Sequence, residues 1–155
     1  MKVMACLITA SLGVSSVAAK LDTYVGKHPH EAVGGRTFLG DPQVKAAIDK
    51  AVPVADIRSF IAERDLTTVP IRRVDDRLLA AGWDPRSGGD VNWAVLMSRD
   101  GKKTAVCYSE GVEPDTRGAD WYVDGKKVFT LYAKCPSRGE DLEGLGTFPI
   151  GPIPG

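Results

Sequence analysis

The fold is set by residues 92–109, which read NWAVLMSRDGKKTAVCYS. The segment Asn92–Ser98 is strongly apolar and has the character of a β-strand. Asp100-Gly101 follows it, a dipeptide that favours a tight turn between two antiparallel strands. The segment Thr104–Ser109 then supplies the return strand. We therefore predict a β-hairpin at the centre of the fold.

The same pattern recurs further along the chain. Trp121–Val123 and Val128–Tyr132 flank a second Asp-Gly turn signal at residues 124–125. Before the central hairpin, Leu66–Val74 has a strand-like pattern in which Val69 and Ile71 alternate with polar neighbours, and Leu78–Ala81 is a further short strand. Together these segments predict an antiparallel sheet of about five strands.

Two helices are predicted ahead of the sheet. Asp41-Pro42 pairs a helix-capping residue with proline at the first helical position. A stripe of apolar residues follows at helical spacing, and Pro53 ends that helix and can start a second. The stripes consist of Val44, Ala47, Ile48 and Val52 in the first helix and Ile57, Phe60 and Ile61 in the second. The predicted class is α+β, with two N-terminal helices packed on one side of the sheet.

The first nineteen residues have the three parts of a secretory signal. A positive start at Lys2 precedes the mostly apolar stretch Val3–Val14, and the small residues Ser15–Ala19 form a cleavage site. The apolar stretch is shorter than the about 20 residues that a spanning helix needs. We therefore expect a signal peptide at residues 1–19 and a mature protein in the periplasm or secreted, without a membrane anchor.

The remaining chain is predicted to have one folded domain with loose ends. Residues 20–36 are polar and glycine-rich, and residues 139–155 are rich in glycine, proline and acids without any period. We expect a flexible arm at 20–36, a folded domain at 37–138 and a flexible tail at 139–155.

The charge balance argues against one class of protein, and the cysteines predict one covalent link. Of 20 basic and 20 acidic residues, the signal peptide holds only Lys2, which leaves 19 basic and 20 acidic residues. This balance argues against nucleic-acid binding, which needs a basic face. Cys107 and Cys135 remain after loss of Cys6 with the signal peptide, and an exported even pair most simply forms one disulfide. A reactive thiol is the alternative, but it would need a nearby histidine.

Catalytic and metal-binding motifs are scarce. His28 and His30 are separated by a proline in a loose context, so a solvated loop is favoured over a metal site. The carboxylate pairs Asp75-Asp76 and Asp84/Asp90 could carry acid–base chemistry, but turn chemistry is the simpler role. We therefore expect no enzyme activity, no metal and no cofactor.

The segment Gly82–Asp90 is a loop of turn residues that carries Trp83 and Arg86 between two strands. Loops on rigid scaffolds commonly bind partners, and tryptophan and arginine often anchor interfaces. The alternative is that Trp83 belongs to the core and Arg86 is a solvated turn residue.

Several stretches resemble the inhibitor of vertebrate lysozyme (Ivy) family of exported bacterial proteins. The likeness runs from Phe38 to Pro136. Its pieces are Phe38–Ala47, Ala81–Trp93, Ala105–Tyr108, Asp120–Tyr122 and Cys135-Pro136.

The resemblance implies an antiparallel sheet with helices to one side, often as a homodimer. It also implies inhibition of c-type lysozyme or of lytic transglycosylases by a loop that enters the cleft. That loop usually reads Cys-x-Pro-His-x-Cys. Here Trp83 and Gly88 stand at the cysteine positions, Arg86 stands at the histidine position, and Pro85 matches.

From these observations we expect an exported inhibitor of a lysozyme-type peptidoglycan glycosidase. The expected contact loop is Trp83, Asp84, Pro85, Arg86 and Ser87, with Arg86 as the main contact and Asp84 contributing much less. The alternative function is a non-inhibitory periplasmic binding or immunity protein on the same fold.

Overall fold

A computed structural model describes residues 20–155, so the predicted signal peptide lies outside the described residues. Seven strands form one antiparallel sheet, in the spatial order β1-β3-β4-β5-β6-β7, with β2 also paired to β3. The strands are β1 (Thr67–Thr68), β2 (Arg72–Val74), β3 (Arg77–Trp83), β4 (Val91–Ser98), β5 (Thr104–Glu110), β6 (Ala119–Val123) and β7 (Lys126–Leu131).

Both predicted Asp-Gly hairpins are present. Strands β4 and β5 pair with Val95 opposite Val106, and β6 and β7 pair across the turn at residues 124–125. Asp124 and Gly125 both have positive φ, at 49° and 77°, as a two-residue hairpin turn of the type I′ family requires. The sheet has seven strands, more than the predicted number of about five, and one of the additional strands arises because Leu66–Val74 supplies two short strands instead of one. Pro70, which lacks a backbone N–H, lies between them.

Two α-helices, α1 (Pro42–Ala51) and α2 (Ala55–Ile61), pack on one face of the sheet, which we call the helix face. The Asp41 carboxylate caps α1 by accepting a hydrogen bond from the Gln43 N–H at 2.9 Å. Val44, Ile48 and Ala51 of α1 are buried against the sheet. The predicted α+β class, with an antiparallel sheet and helices on one face, is therefore confirmed. No helix within residues 20–155 combines the length and apolar character that membrane crossing requires.

The opposite face of the sheet, which we call the C-terminal face, is covered by residues 133–155. A 3₁₀ helix at Gly139–Leu145 buries Leu142 and Leu145, and Phe148 packs edge-on against Trp121 with ring centroids 5.6 Å apart. The prediction of a flexible tail at 139–155 therefore differs from the structure. The buried residues Leu142, Leu145 and Phe148 recur at a spacing of three, the period of a 3₁₀ helix, and they complete a second core.

The predicted flexible arm at 20–36 is also packed. Leu21 and Tyr24 are buried, and the Tyr24 hydroxyl donates to the Asp41 carboxylate at 3.0 Å. The backbone of Gly26 and Lys27 exchanges two hydrogen bonds of 2.8 Å with Ile71. The arm thus closes the edge of the helix face, so the folded region extends beyond the predicted limits of 37–138.

Candidate functional site

The predicted contact loop is a short, ordered turn at one end of the sheet. Strand β3 continues through Trp83, so the connection to β4 comprises residues 84–90, and we call it the 84–90 turn. Pro85–Ser87 form a single 3₁₀ turn, and the Asp84 carboxylate caps it by accepting from the Arg86 N–H at 2.9 Å. Gly88 follows with φ of +66°, a conformation that glycine adopts without strain.

Hydrogen bonds fix this turn without a cross-link of its own. The Ser87 hydroxyl donates to the Asp84 carbonyl at 2.8 Å and accepts from the Val91 N–H at 3.0 Å. The Asn92 side-chain amide donates to the carbonyls of Gly89 and Asp90 at 3.2 and 2.7 Å. These bonds satisfy polar groups that the turn would otherwise leave to solvent, so its backbone shape is defined before any partner binds.

Asn92 connects the turn to the predicted disulfide. Its Oδ1 accepts from the Cys135 N–H at 2.8 Å, and Asn92 itself is buried. Cys135 is bonded to Cys107 with their Cα atoms 5.7 Å apart, which confirms the predicted pairing. The disulfide thus lies beneath the turn, on the C-terminal face, and anchors the chain that supports it.

Arg86 projects from the tip of the turn. Its side chain is 66% exposed, and its Nε donates to Asp84 Oδ1 at 2.8 Å. This hydrogen bond is the main cause of the lowered pKa of the Asp84 carboxyl and of the raised pKa of the guanidinium. Asp84, expected to matter much less than Arg86, therefore positions the guanidinium as well as capping the turn.

Two more carboxylates lie around Arg86, and sequence reasoning missed both. Glu63 and Asp65 follow helix α2, and their oxygens lie 3.7 and 3.9 Å from the guanidinium nitrogens. Both pairs are exposed and longer than a hydrogen bond, so each contributes little to stability. No sequence signal links residues 63 and 65 to the turn, because the chain brings them there only through the packing of α2.

Trp83 was expected either to anchor an interface or to belong to the core, and the structure places it between these two roles. It is the last residue of β3 and is partly buried. A Cβ placed on Gly89 would lie 3.6 Å from both Trp83 Cδ1 and Lys134 Nζ, so the indole lies against the back of the turn. Beside it is a recess of about 570 Å³, lined in part by Trp83, Gly88, Lys134 and Arg138. The tryptophan therefore supports the turn and also faces this recess.

The other sequence candidates do not converge on a reactive site. Asp84 pairs with Arg86, whereas Asp90 lies 3.8 Å from Lys134, so these two carboxylates have separate cationic partners. Asp75 forms part of the two-residue connection between β2 and β3, with φ of 54°, which fits a turn role. Within residues 20–155, no three His, Cys, Asp or Glu side chains cluster as metal ligands would.

His28 and His30 have separate surroundings. His28 Nδ1 lies 2.9 Å from the Thr68 hydroxyl, and burial lowers the pKa of His30. Neither histidine lies among the residues that line the recess beside the 84–90 turn.

No protein-family model matches the chain, and no curated protein or solved structure matches it either. The likeness to the Ivy family therefore stays a prediction based on the quoted residues.

Proposed function

We propose that this chain is an exported inhibitor of a lysozyme-type peptidoglycan glycosidase, which inserts the 84–90 turn into the enzyme's cleft. The observation that carries the proposal is the Arg86 guanidinium, held outward by Asp84 on a turn that is already ordered. Glycosidases of this class use two carboxyl groups that flank the scissile bond. A guanidinium fits such a pair, because it can donate two parallel hydrogen bonds to a carboxylate.

The contacts of Arg86 leave it able to exchange partners. Its short bond to Asp84 uses only Nε, while its terminal nitrogens make contacts of 3.7 and 3.9 Å to Glu63 and Asp65. Such long, exposed ion pairs are worth about 0–1 kcal/mol, so a desolvated carboxylate in a cleft can replace them. The exposed Pro85 beside Arg86 has a fixed φ, which lowers the entropy lost when the tip is immobilised.

Hydrogen bonds take the place of the disulfide that staples the usual Ivy loop. The bonds made by Ser87 and Asn92 restrict the turn from within and from below. The partner would be a c-type lysozyme or a lytic transglycosylase, met in the periplasm or outside the cell. A homodimer, common in the Ivy family, is compatible with this role because only the turn enters the cleft.

The test is inhibition of cell-wall lysis by the mature protein, followed as the turbidity of a bacterial suspension. It is run once with a c-type lysozyme and once with a lytic transglycosylase. Arg86→Ala is compared with Arg72→Ala, an exposed arginine of β2 that lies away from the turn. Loss of one partner of a desolvated charge pair costs about 2–5 kcal/mol, so Arg86→Ala should weaken inhibition at least roughly 30-fold.

Three further results complete this test. Arg72→Ala should inhibit like the parent, and the melting temperature of Arg86→Ala should be unchanged. Arg86→Lys should recover only part of the inhibition, because an ammonium lacks the planar fork. Equal inhibition by Arg86→Ala and the parent would contradict the proposed role of the turn.

One observation favours a second candidate, a non-inhibitory binding or immunity protein. Glu63, Asp65, Asp84 and Asp90 give the surroundings of Arg86 an excess of negative charge. Such a surface suits a basic partner better than an acidic cleft. This candidate predicts no inhibition of either enzyme class, together with recovery of a basic periplasmic protein whose binding weakens in Glu63→Gln.

A further inference from the structure

A second concave site lies on the helix face of the sheet, at the same end as the 84–90 turn. It is a groove of about 520 Å³ between helix α2 and the strands β5, β6 and β7, and we call it the tyrosine groove. Its side-chain lining includes Asp56, Tyr108, Glu110, Asp120, Tyr122 and Tyr132. The volume is within the range of small-molecule sites, roughly 300–1,000 Å³.

The sheet register places these side chains together. Tyr108, Asp120 and Thr130 stand directly opposite one another on β5, β6 and β7, so they share one face. Tyr122 lies two residues after Asp120 and therefore points to the same side. A register shift between β6 and β7 follows Trp121 and brings Lys127 opposite Tyr122. Irregularities of this kind often occur beside functional sites, where they redirect side chains.

Most polar groups of the groove are already held in place. The Tyr108 hydroxyl donates to Glu110 Oε1 at 3.1 Å, and the Thr130 hydroxyl donates to Asp120 Oδ1 at 2.5 Å. Lys127 Nζ lies 3.6 Å from the same Asp120 oxygen. Burial, reinforced by the charge of Glu110, raises the pKa of Tyr108 to about 12, so this hydroxyl stays a hydrogen-bond donor at neutral pH. The groove is therefore a fixed array of oriented polar groups.

Tyr122 differs from Tyr108. Its side chain lines the groove and the residue is only 8% exposed. Within residues 20–155 its hydroxyl has no protein hydrogen-bond partner, but the oxygen itself is still open to the groove. A hydroxyl without a protein partner in a concave site is free to form a hydrogen bond with water or with a ligand. The Tyr122 hydroxyl is therefore a free hydrogen-bonding group that a ligand in the groove can reach.

The charges in the groove identify the kind of occupant. Three carboxylates, from Asp56, Glu110 and Asp120, face two cations, from Arg117 and Lys127, so neither sign dominates. Tyr132 at the mouth is 53% exposed and offers an aromatic face. A neutral ligand with many hydroxyls could donate to the carboxylates, accept from the cations and pack its C–H surface on the tyrosine ring.

We propose that the tyrosine groove binds a neutral oligosaccharide, with the Tyr122 hydroxyl hydrogen-bonded to a sugar hydroxyl or ring substituent. This site is independent of the proposed inhibition, because it lies on the helix face and includes no residue of the 84–90 turn. A failure of either proposal therefore leaves the other to its own test.

The test is saturation-transfer NMR and calorimetry on the mature protein with tetra-N-acetylchitotetraose, cellotetraose and maltotetraose. At least one of these probes should bind saturably. Tyr122→Phe should weaken that binding about 2- to 10-fold, the value of one hydrogen bond, without lowering the melting temperature. Tyr24→Phe is the matched control, because its hydroxyl bonds to Asp41 away from the groove. It should lower the melting temperature and leave binding unchanged.

A second variant keeps the test decisive if the loss of affinity in Tyr122→Phe is small. Tyr132→Ala removes an exposed ring, so the protein should fold normally while binding of the same tetrasaccharide falls at least as far as in Tyr122→Phe. The proposal is overturned if none of the three probes binds saturably. It is also overturned if a bound probe is retained at full affinity by both Tyr122→Phe and Tyr132→Ala.

Discussion

The 84–90 turn and the tyrosine groove lie at the same end of the sheet. They differ in how fully their polar groups are hydrogen-bonded within the protein. In the turn, Ser87 and Asn92 satisfy the backbone, and Arg86 is held outward on a closed hydrogen-bonded loop. In the groove, the hydroxyl of Tyr122 has no protein partner within the described residues and is open to the groove. Under the two proposals, the turn enters another molecule, whereas the groove receives one.

The two regions also depend on different supports. The turn rests on the C-terminal face, where Asn92 accepts from the Cys135 N–H above the disulfide. The groove rests on the helix face, where Phe60 of α2 packs edge-on against Tyr108 with centroids 5.7 Å apart. Changes that damage one support should therefore affect the nearer region first, and this difference can be measured.

The largest effect is expected from deleting residues 139–155. The deletion removes Leu142, Leu145 and Phe148 from the core of the C-terminal face. Burial of each such side chain is worth about 1.5–3 kcal/mol, so the free energy of unfolding should fall by about 5 kcal/mol or more. Thermal denaturation measures it. Deleting only 152–155, which carries the exposed Ile153, is the control and should change little. An unchanged melting temperature after the longer deletion would mean that the segment is a tail after all.

Removing the disulfide should have a smaller effect and a more local one. The double variant Cys107→Ser/Cys135→Ser opens a link between residues 28 positions apart. The chain-entropy model gives about 3–4 kcal/mol for a loop of this size. Hydrogen exchange should accelerate more at residues 84–92 than at the strand positions of the groove, Tyr108 and Asp120. Equal acceleration in both regions would show that the disulfide does not support the turn in particular.

The hydrogen-bonded pair of Asp84 and Arg86 in the turn should persist on acidification to below the usual pKa of an aspartate. Because the Arg86 hydrogen bond lowers the pKa of Asp84, the pair is fully formed above the ordinary aspartate range. It is lost only as the pH falls through the lowered pKa. The Nε–H resonance of Arg86, followed by NMR from pH 6 to pH 2, should stay constant until below about pH 4. The Nε–H resonance of Arg72 serves as the reference. A change of the Arg86 signal centred at or above the usual aspartate pKa would contradict this geometry.

The parts of the fold that could be predicted from sequence are those set by neighbouring residues. The two Asp-Gly hairpins and the capped helix at Asp41 follow from local turn and capping chemistry. The pair of cysteines that remains after the predicted signal peptide, Cys107 and Cys135, predicted the disulfide. The 84–90 turn was found for the same reason, since its consecutive residues carry their own turn signals.

The missed parts depend on contacts between distant residues. Leu142 and Phe148 lie in a segment rich in glycine and proline, and they are buried only because the apolar C-terminal face of the sheet lies beside them. The tyrosine groove combines α2, three strands and the loop before β6, and no local pattern in the sequence joins them. Glu63 and Asp65 reach Arg86 by the same kind of long-range packing.

The most direct test of the 84–90 turn as the binding element is chemical-shift mapping of the ¹⁵N-labelled protein without its predicted signal peptide. Unlabelled c-type lysozyme is added first, and a lytic transglycosylase in a second titration. We expect the largest changes at residues 84–90 and at the Arg86 Nε–H, with little change at Tyr108, Asp120 or Tyr122. If the turn remains unchanged while either enzyme binds elsewhere, or if neither enzyme perturbs any resonance, the turn is not an inhibitory element.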